Sequence, residues 1–160
     1  MAGPTKGPVR RGFLSAVPFD QARIRAAAIY CSDGRFGEQM DEFLHKGLKL
    51  PRYDRLAVPG GPACFTGLVS VFWEGWSGDR QLDFLCRVHG LERLVLISHE
   101  GCAFYREWLK VQAEELLARQ RADIVRAAAR LAKLEPDLAV EGYLARKNAK
   151  HIWFEPVPLG

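Results

Sequence analysis

Leu94-Val95-Leu96-Ile97-Ser98-His99-Glu100-Gly101-Cys102 is the stretch from which the fold can be read. The apolar run Leu94 to Ile97 reads as a strand buried on both faces, and it ends on the polar group His99-Glu100-Gly101-Cys102. Upstream, Ala26 to Tyr30 has the same character and runs into the turn-like Ser32-Asp33-Gly34, with Cys31 and Arg35 on either side. Asp54 to Val58 predicts a further strand, stopped by Pro59-Gly60-Gly61-Pro62.

Helical spacing fills the gaps between these strands. From Glu38 to Leu48, the residues Met40, Phe43, Leu44 and Leu48 fall on one stripe; from Asp79 to Val88, Leu82, Leu85 and Cys86 do the same, and Gly90 is a helix stop. Ala103 to Leu134 contains neither Gly nor Pro and predicts one long helix or two joined by a bend. Two closing strands, Leu138 to Leu144 and His151 to Val157, flank Lys147-Asn148-Ala149-Lys150. Alternating β and α units predict an α/β fold of three layers, α/β/α. Its sheet is expected to be mainly parallel, in the order 2-1-3-4, with an antiparallel strand at the edge. Residues 1–20 read as an irregular arm lying on the surface or on a partner subunit, and residues 21–160 as a single domain.

Composition narrows the function. Of the 160 residues 48% are apolar, enough for one sizeable core and not for a second domain of normal size. A net charge of +4 and a pI near 9.0 are only mildly basic, and no Lys/Arg run is interleaved with aromatics. No nucleic-acid partner is therefore expected. No membrane is expected either, since no window approaches the roughly 18 apolar residues of a span. Arg10-Arg11-Gly12-Phe13-Leu14 has the look of a twin-arginine export signal, but Pro18, Asp20, Arg23 and Arg25 interrupt the apolar stretch that such a signal requires. Cysteines at 31, 64, 86 and 102 without a secretory signal predict metal binding or burial rather than disulfides, and a cytoplasmic location.

In an open parallel sheet, ligands collect outside the strand carboxyl ends where strand order reverses, and the order 2-1-3-4 makes strands one and three neighbours there. Cys31, Asp33 and Arg35, at spacings of two, share one side if the chain stays extended, and His99 and Cys102 leave the third strand beside them. Two thiolates and an imidazole are a borderline-soft donor set suited to Zn2+. Three protein ligands leave the fourth tetrahedral position for water or substrate, which is the pattern of a catalytic site.

Cys31-Ser32-Asp33-Gly34-Arg35 followed by His99-Glu100-Gly101-Cys102 resembles the Cys-x-Asp-x-Arg and His-x-x-Cys motifs of the β-class carbonic anhydrases. Tyr53 to Gly61 is similar to that family's second strand and its glycine-containing turn, and Val140-Glu141-Gly142-Tyr143 to its late edge strand, so the likeness spans residues 25–157. The resemblance implies Zn2+ held by Cys31, His99 and Cys102. It implies, too, that Asp33 and Arg35 are the catalytic pair, orienting and activating the water for reversible hydration of CO2 to bicarbonate and a proton. A homodimer or higher homo-oligomer is the family habit. Gly34 stands where the family has serine, and Ala103 where glycine usually follows the last cysteine. Two further readings stand beside this one: a catalytically silent zinc-binding homologue with a structural or interaction role, and a hydrolase of another small heteroallene, CS2 or COS.

Other features have plainer readings. Cys86-Arg87-Val88-His89 followed by His99 and Cys102 spells a zinc-finger spacing, yet an intervening strand holds His89 and His99 roughly 23 Å apart. Cys64 and Cys86 are accordingly expected to be buried apolar residues. Gly60-Gly61 lacks the Gly-Lys-Ser/Thr ending of a phosphate loop. Glu100 is a solvated loop acid or a proton-transfer group, and His45 and His151 are exposed histidines or proton relays. Phe72, Trp73 and Trp76 read as core or subunit-interface aromatics, and Phe104 and Tyr105 as cavity lining or helix packing.

Overall fold

The computed structural model describes residues 12–68 and 78–160. Among them, five strands form one sheet: β1 (Ala26–Cys31), β2 (Asp54–Val58), β3 (Arg93–His99), β4 (Ala139–Lys147) and β5 (Ile152–Pro156). Their order is β2-β1-β3-β4-β5, the first four parallel and β5 antiparallel to β4. This is the α/β arrangement that the alternation of elements predicts.

The sheet is the middle layer of the molecule. On one face Ala27, Ile29, Leu94 and Leu96 pack against Phe65, Leu82, Ile124 and Leu131. On the other, Ala26, Ala28, Tyr30, Val95 and Ile97 pack against Phe36, Met40 and Leu44. Both faces of β1 and β3 are therefore covered, which is why these strands read as unbroken apolar runs and not as alternating ones.

Helix α1 (Gly37–Glu42) continues as a π-helical turn over Phe43–Gly47 and buries Met40 and Leu44 completely. Helix α2 (Gly78–Phe84), prolonged by a similar turn over Leu85–His89, stops at Gly90, whose φ of 65° lets its N–H reach back to Cys86 O. Helix α3 (Leu116–Leu134) lays Leu116, Gln120, Ile124, Ala127 and Leu131 on its buried side.

A helix continuous from Ala103 does not form. Phe104–Trp108 makes a single π-helical turn, after which the N–H groups of Leu109 and Val111 fold back to Phe104 O and Tyr105 O, and Lys110 turns the chain with φ 53°. Tyr105, three residues after Cys102, is wholly buried and anchors the chain in the core at this point. The closing hairpin follows expectation, with β4 starting one residue later and ending three residues later than its apolar pattern suggests. Its turn is held by Asn148 Oδ1, which accepts from the N–H groups of Lys150 and His151 at 2.9 and 2.8 Å.

Residues 12–20 carry no helix or strand, and Phe13, Leu14, Val17 and Phe19 are exposed. Residues 1–11 of the expected arm, and the aromatics Phe72, Trp73 and Trp76, lie outside the described residues. No helix among the described residues is long and apolar enough to cross a membrane.

Candidate metal centre

The register of the sheet brings the two motifs together. Tyr30 pairs with Ile97, so Cys31 at the carboxyl end of β1 and His99 at the end of β3 emerge side by side. They emerge toward opposite faces: Cys31 continues the series of Ala27 and Ile29, whereas His99 continues that of Val95 and Ile97. Cys102, after the turn at Gly101 (φ 70°), returns to the face of Cys31. The metal-ligating atoms of Cys31, His99 and Cys102 all lie within 4.8 Å of one another, and the two sulfurs are 3.8 Å apart.

All three side chains are buried, and their electrostatics reflect it. The hydrogen bond between the two sulfurs lowers the Cys31 thiol against the opposing effect of burial, and the same contact together with burial pushes Cys102 up. His99 Nδ1 sits 3.0 Å from Glu100 O, and its Nε2 is buried without a hydrogen-bond partner. The ring of Phe36 lies over that of His99, centroids 4.2 Å apart.

Asp33 is still extended, with φ −67° and ψ 103°, but the chain turns at Gly34, so the condition of the spacing-of-two expectation is not met at Arg35. Asp33 caps a 3-10 turn over Gly34–Phe36 by accepting from the Arg35 N–H at 3.1 Å, and this local bond curls Arg35 back onto Asp33. Arg35 then grips both carboxylate oxygens, Nε at 2.9 Å from Oδ1 and Nη2 at 2.5 Å from Oδ2. That grip holds the Asp33 carboxyl down to about 2. Asp33 Oδ2 lies 3.9 Å from His99 Nε2, too long for a hydrogen bond and near enough to face the same small volume.

Gly60 and Gly61 close the site from the side of β2. Both have positive φ, 78° and 54°; a Cβ on Gly60 would strike the Phe104 ring, and one on Gly61 would strike the backbone of β1. Phe104 packs on the glycine surface at Gly60, and both it and its neighbour Tyr105 are buried in the core.

Other nominated residues stay apart. His89 pairs with Asp54 at the first residue of β2, at the opposite end of the strand from Val58, which is level with Cys31, so no finger forms with His99. Cys64 is buried with its Sγ 3.1 Å from Pro59 O, and burial pushes its thiol up to about 11; Cys86 is only partly buried. Glu100 bonds Arg146 at 2.9 Å instead of standing free in solvent. His45 lies beside Tyr53, and His151 is exposed in the hairpin turn. Two contributors were missed from sequence, Phe36 over His99 and Gln120, whose Nε2 donates to His99 O at 2.7 Å. A polar residue on the buried stripe of α3 was the available signal for Gln120.

This arrangement of sheet, helices and strand-end turns is the β-carbonic-anhydrase fold. The crystal structure of β-carbonic anhydrase isoform I from the protozoan Trichomonas vaginalis matches it with a TM-score of 0.57 over 88% of this chain and 87% of that one, at 13% identity. The crystal structure of the β-carbonic anhydrase CafA of the fungal pathogen Aspergillus fumigatus gives a TM-score of 0.49 over 82% of this chain and 74% of that one, at 14% identity. No protein-family model matches the chain, and no curated protein matches it by sequence.

Proposed function

We propose that this protein binds one Zn2+ through Cys31 Sγ, His99 Nε2 and Cys102 Sγ and catalyses the reversible hydration of CO2 to bicarbonate and a proton. The observation that carries the reading is the buried Cys-His-Cys cluster, with an unpartnered imidazole nitrogen, at strand ends of a β-carbonic-anhydrase-like sheet.

The donor set fits zinc on two physical grounds. Zn–S bonds of about 2.3 Å at a tetrahedral angle separate two sulfurs by about 3.8 Å, and the sulfurs here are 3.8 Å apart. Two thiolates and a neutral imidazole also balance a divalent charge inside a buried site, where an unbalanced charge is costly.

Zinc, when bound, supplies Lewis-acid chemistry that lowers the pKa of water from about 15.7 to about 7. The chain's own residues do the rest. With its carboxyl held at about 2, Asp33 is ionised at any working pH and acts as an acceptor, orienting a water or its conjugate base rather than removing the proton itself. Arg35 holds both oxygens of Asp33, which would keep the carboxylate from turning onto a bound metal ion and leave it as a hydrogen-bond acceptor beside it. Phe36 over the His99 ring and Phe104 against Gly60 make the surroundings of the site apolar, which suits a small uncharged substrate. Hydration releases one proton for each bicarbonate, and Arg35 beside Asp33 is 67% exposed, so solvent reaches the edge of the site.

The exposed apolar side chains of residues 12–20 support a dimer or higher assembly in which a partner covers them. The absence of any disulfide among the described residues is compatible with the reducing cytoplasm expected from cysteine usage. The direct test of the activity is stopped-flow CO2 hydration by the zinc-loaded protein between about pH 7 and 9. A rate above the uncatalysed one supports the proposal. A rate equal to it transfers the site to a silent zinc-binding homologue, or, if CS2 or COS is consumed instead, to a different heteroallene.

A further inference from the structure

His99 is held from two directions, and only one of them decides which ring nitrogen faces the thiols. Gln120 fixes its backbone carbonyl, whereas the Glu100 carbonyl oxygen, 3.0 Å from Nδ1, fixes its ring. A carbonyl oxygen only accepts, so Nδ1 carries the proton and Nε2 the lone pair. Keeping that tautomer depends on how firmly the Glu100 carbonyl is aimed. Glu100 begins a turn and precedes Gly101, at φ 70°, so local backbone preference gives the carbonyl little direction.

Three contacts to consecutive residues of β4 supply that direction. The Glu100 N–H donates to Ala145 O at 2.8 Å, and Glu100 Oε2 accepts from Arg146 Nε at 2.9 Å and from the Lys147 N–H at 3.3 Å. The bond to Ala145 alone leaves Glu100 able to swing about it. Anchoring the side chain as well fixes the orientation of its Cα, and with it the point from which the carbonyl departs. Arg146 is itself braced, since its Nη1 lies 3.3 Å from Glu155 Oε1, Glu155 also pairs with Arg121 of α3, and the guanidinium lies 5.9 Å over the Trp153 ring.

We propose that Arg146 is a positioning residue for His99: by holding the Glu100 carboxylate against β4 it aims the Glu100 carbonyl at His99 Nδ1, so that His99 presents an unprotonated Nε2 to Cys31 and Cys102 before any metal arrives. The inference rests on the zinc reading above. It assigns a role to an ion pair that touches neither the thiols nor Asp33, and it makes the metal site depend on β4 as well as on β1 and β3. Outer contacts that orient a ligating histidine typically contribute about 10- to 100-fold in metal affinity.

The test uses Arg146→Met, which keeps an apolar stem over Trp153 and removes the guanidinium fork. With far-UV circular dichroism unchanged, Zn2+ affinity measured by competition with a chromophoric chelator is expected to weaken about 10- to 100-fold. In the metal-free protein, the long-range 1H–15N spectrum of the histidines is expected to change from a single Nδ1–H form of His99 to a mixture of tautomers. Arg146→Lys, which restores a donor to Glu100, should recover part of both effects. Unchanged affinity together with an unchanged tautomer in folded Arg146→Met overturns the inference. Failure of the wild-type protein to bind zinc overturns instead the reading on which it rests. Should Arg146→Met not fold, Glu100→Gln weakens the same clamp by removing its charge; a smaller shift of both readouts in the same direction supports the proposal, and no shift in either defeats it.

Discussion

Gly61 approaches Cys31 so closely that a Cβ at position 61 would stand 2.9 Å from the Cys31 amide nitrogen, with Tyr30 C at 3.0 Å and Ile97 O at 3.2 Å. Every one of these neighbours is backbone of the central strands and cannot move aside. Gly61 also has φ 54°. Gly61→Ala therefore combines a strained conformation with displacement of the strand that carries a thiol, and should lower stability by about 2 kcal/mol or more. Gly34, by contrast, has nothing within 4 Å of an added Cβ, and Gly34→Ser should leave stability within about 0.5 kcal/mol of wild type. Urea unfolding of the two variants side by side checks both.

Cys102 is almost fully buried, and a cysteine there serving only as packing would tolerate truncation at modest cost. As a zinc ligand it would not. Cys102→Ala is expected to weaken Zn2+ binding by at least about 100-fold, more than the loss of an outer contact, while Cys86→Ala leaves the zinc content unchanged. Elemental analysis after dialysis against a weak chelator reads the difference; equal zinc in wild type and Cys102→Ala would remove Cys102 from the ligand set.

On the proposed reading, in which the Asp33 carboxylate orients the reacting water and does not bind the metal, Asp33→Ala is expected to retain zinc and to lose about 100-fold or more in turnover. The pH dependence of Asp33 follows from its grip by Arg35. Its folded value, about 2, lies below the ordinary 3.8, so the stability that this pair contributes is complete above 3.8 and is lost as pH falls through about 2. Arg35→Ala should return the Asp33 carboxyl toward 3.8, as read by 13C NMR of the carboxyl carbon. An unmoved titration midpoint would mean that Arg35 does not control Asp33.

Arg93 and Glu141 join β3 to β4 near their amino ends, Nε to Oε1 at 2.5 Å, and Tyr143 donates its hydroxyl to Glu141 Oε2 at 2.9 Å. Burial alone would raise the Glu141 carboxyl, but these two hydrogen bonds prevail and lower it from 4.5. A lowered acid contributes stability above its unfolded pKa and loses it as pH falls through the folded one. Allowing for solvent screening at a pair about one-third exposed, Glu141→Gln should cost about 1 kcal/mol at pH 7, and the difference should shrink toward zero at an acid pH that protonates the folded carboxyl. Thermal melts of both proteins at the two pH values test this, and a difference that persists undiminished in acid would contradict it.

The strands and the clustering of Cys31, His99 and Cys102 could be read from the residues because each rests on a strong local signal. β1 and β3 are covered on both faces and so are unbroken apolar runs. Cys31, His99 and Cys102 could be grouped because parallel topology places the ends of those strands side by side. Where hydrogen bonding or distant packing overrode local pattern, the reading failed. The Asp33 carboxylate bends the chain at Gly34–Phe36 through a bond two residues long, which a spacing rule built on extended backbone cannot register. Of the two readings for Ala103 to Leu134, the unbroken helix is the one that does not form: a short helical turn at Phe104–Trp108 is separated from α3, although nothing between 103 and 134 resembles a helix breaker. The roles of Phe36 and Gln120 at His99 exist only in the folded chain.

Zinc K-edge X-ray absorption on the purified protein tests the central claim most directly, because it counts the atoms around the metal by element. The expected spectrum has two sulfur neighbours near 2.3 Å and one imidazole nitrogen, with one further light atom near 2.0 Å. A zinc shell without sulfur, or a purified protein that takes up no zinc at all, would contradict the assignment of Cys31, His99 and Cys102.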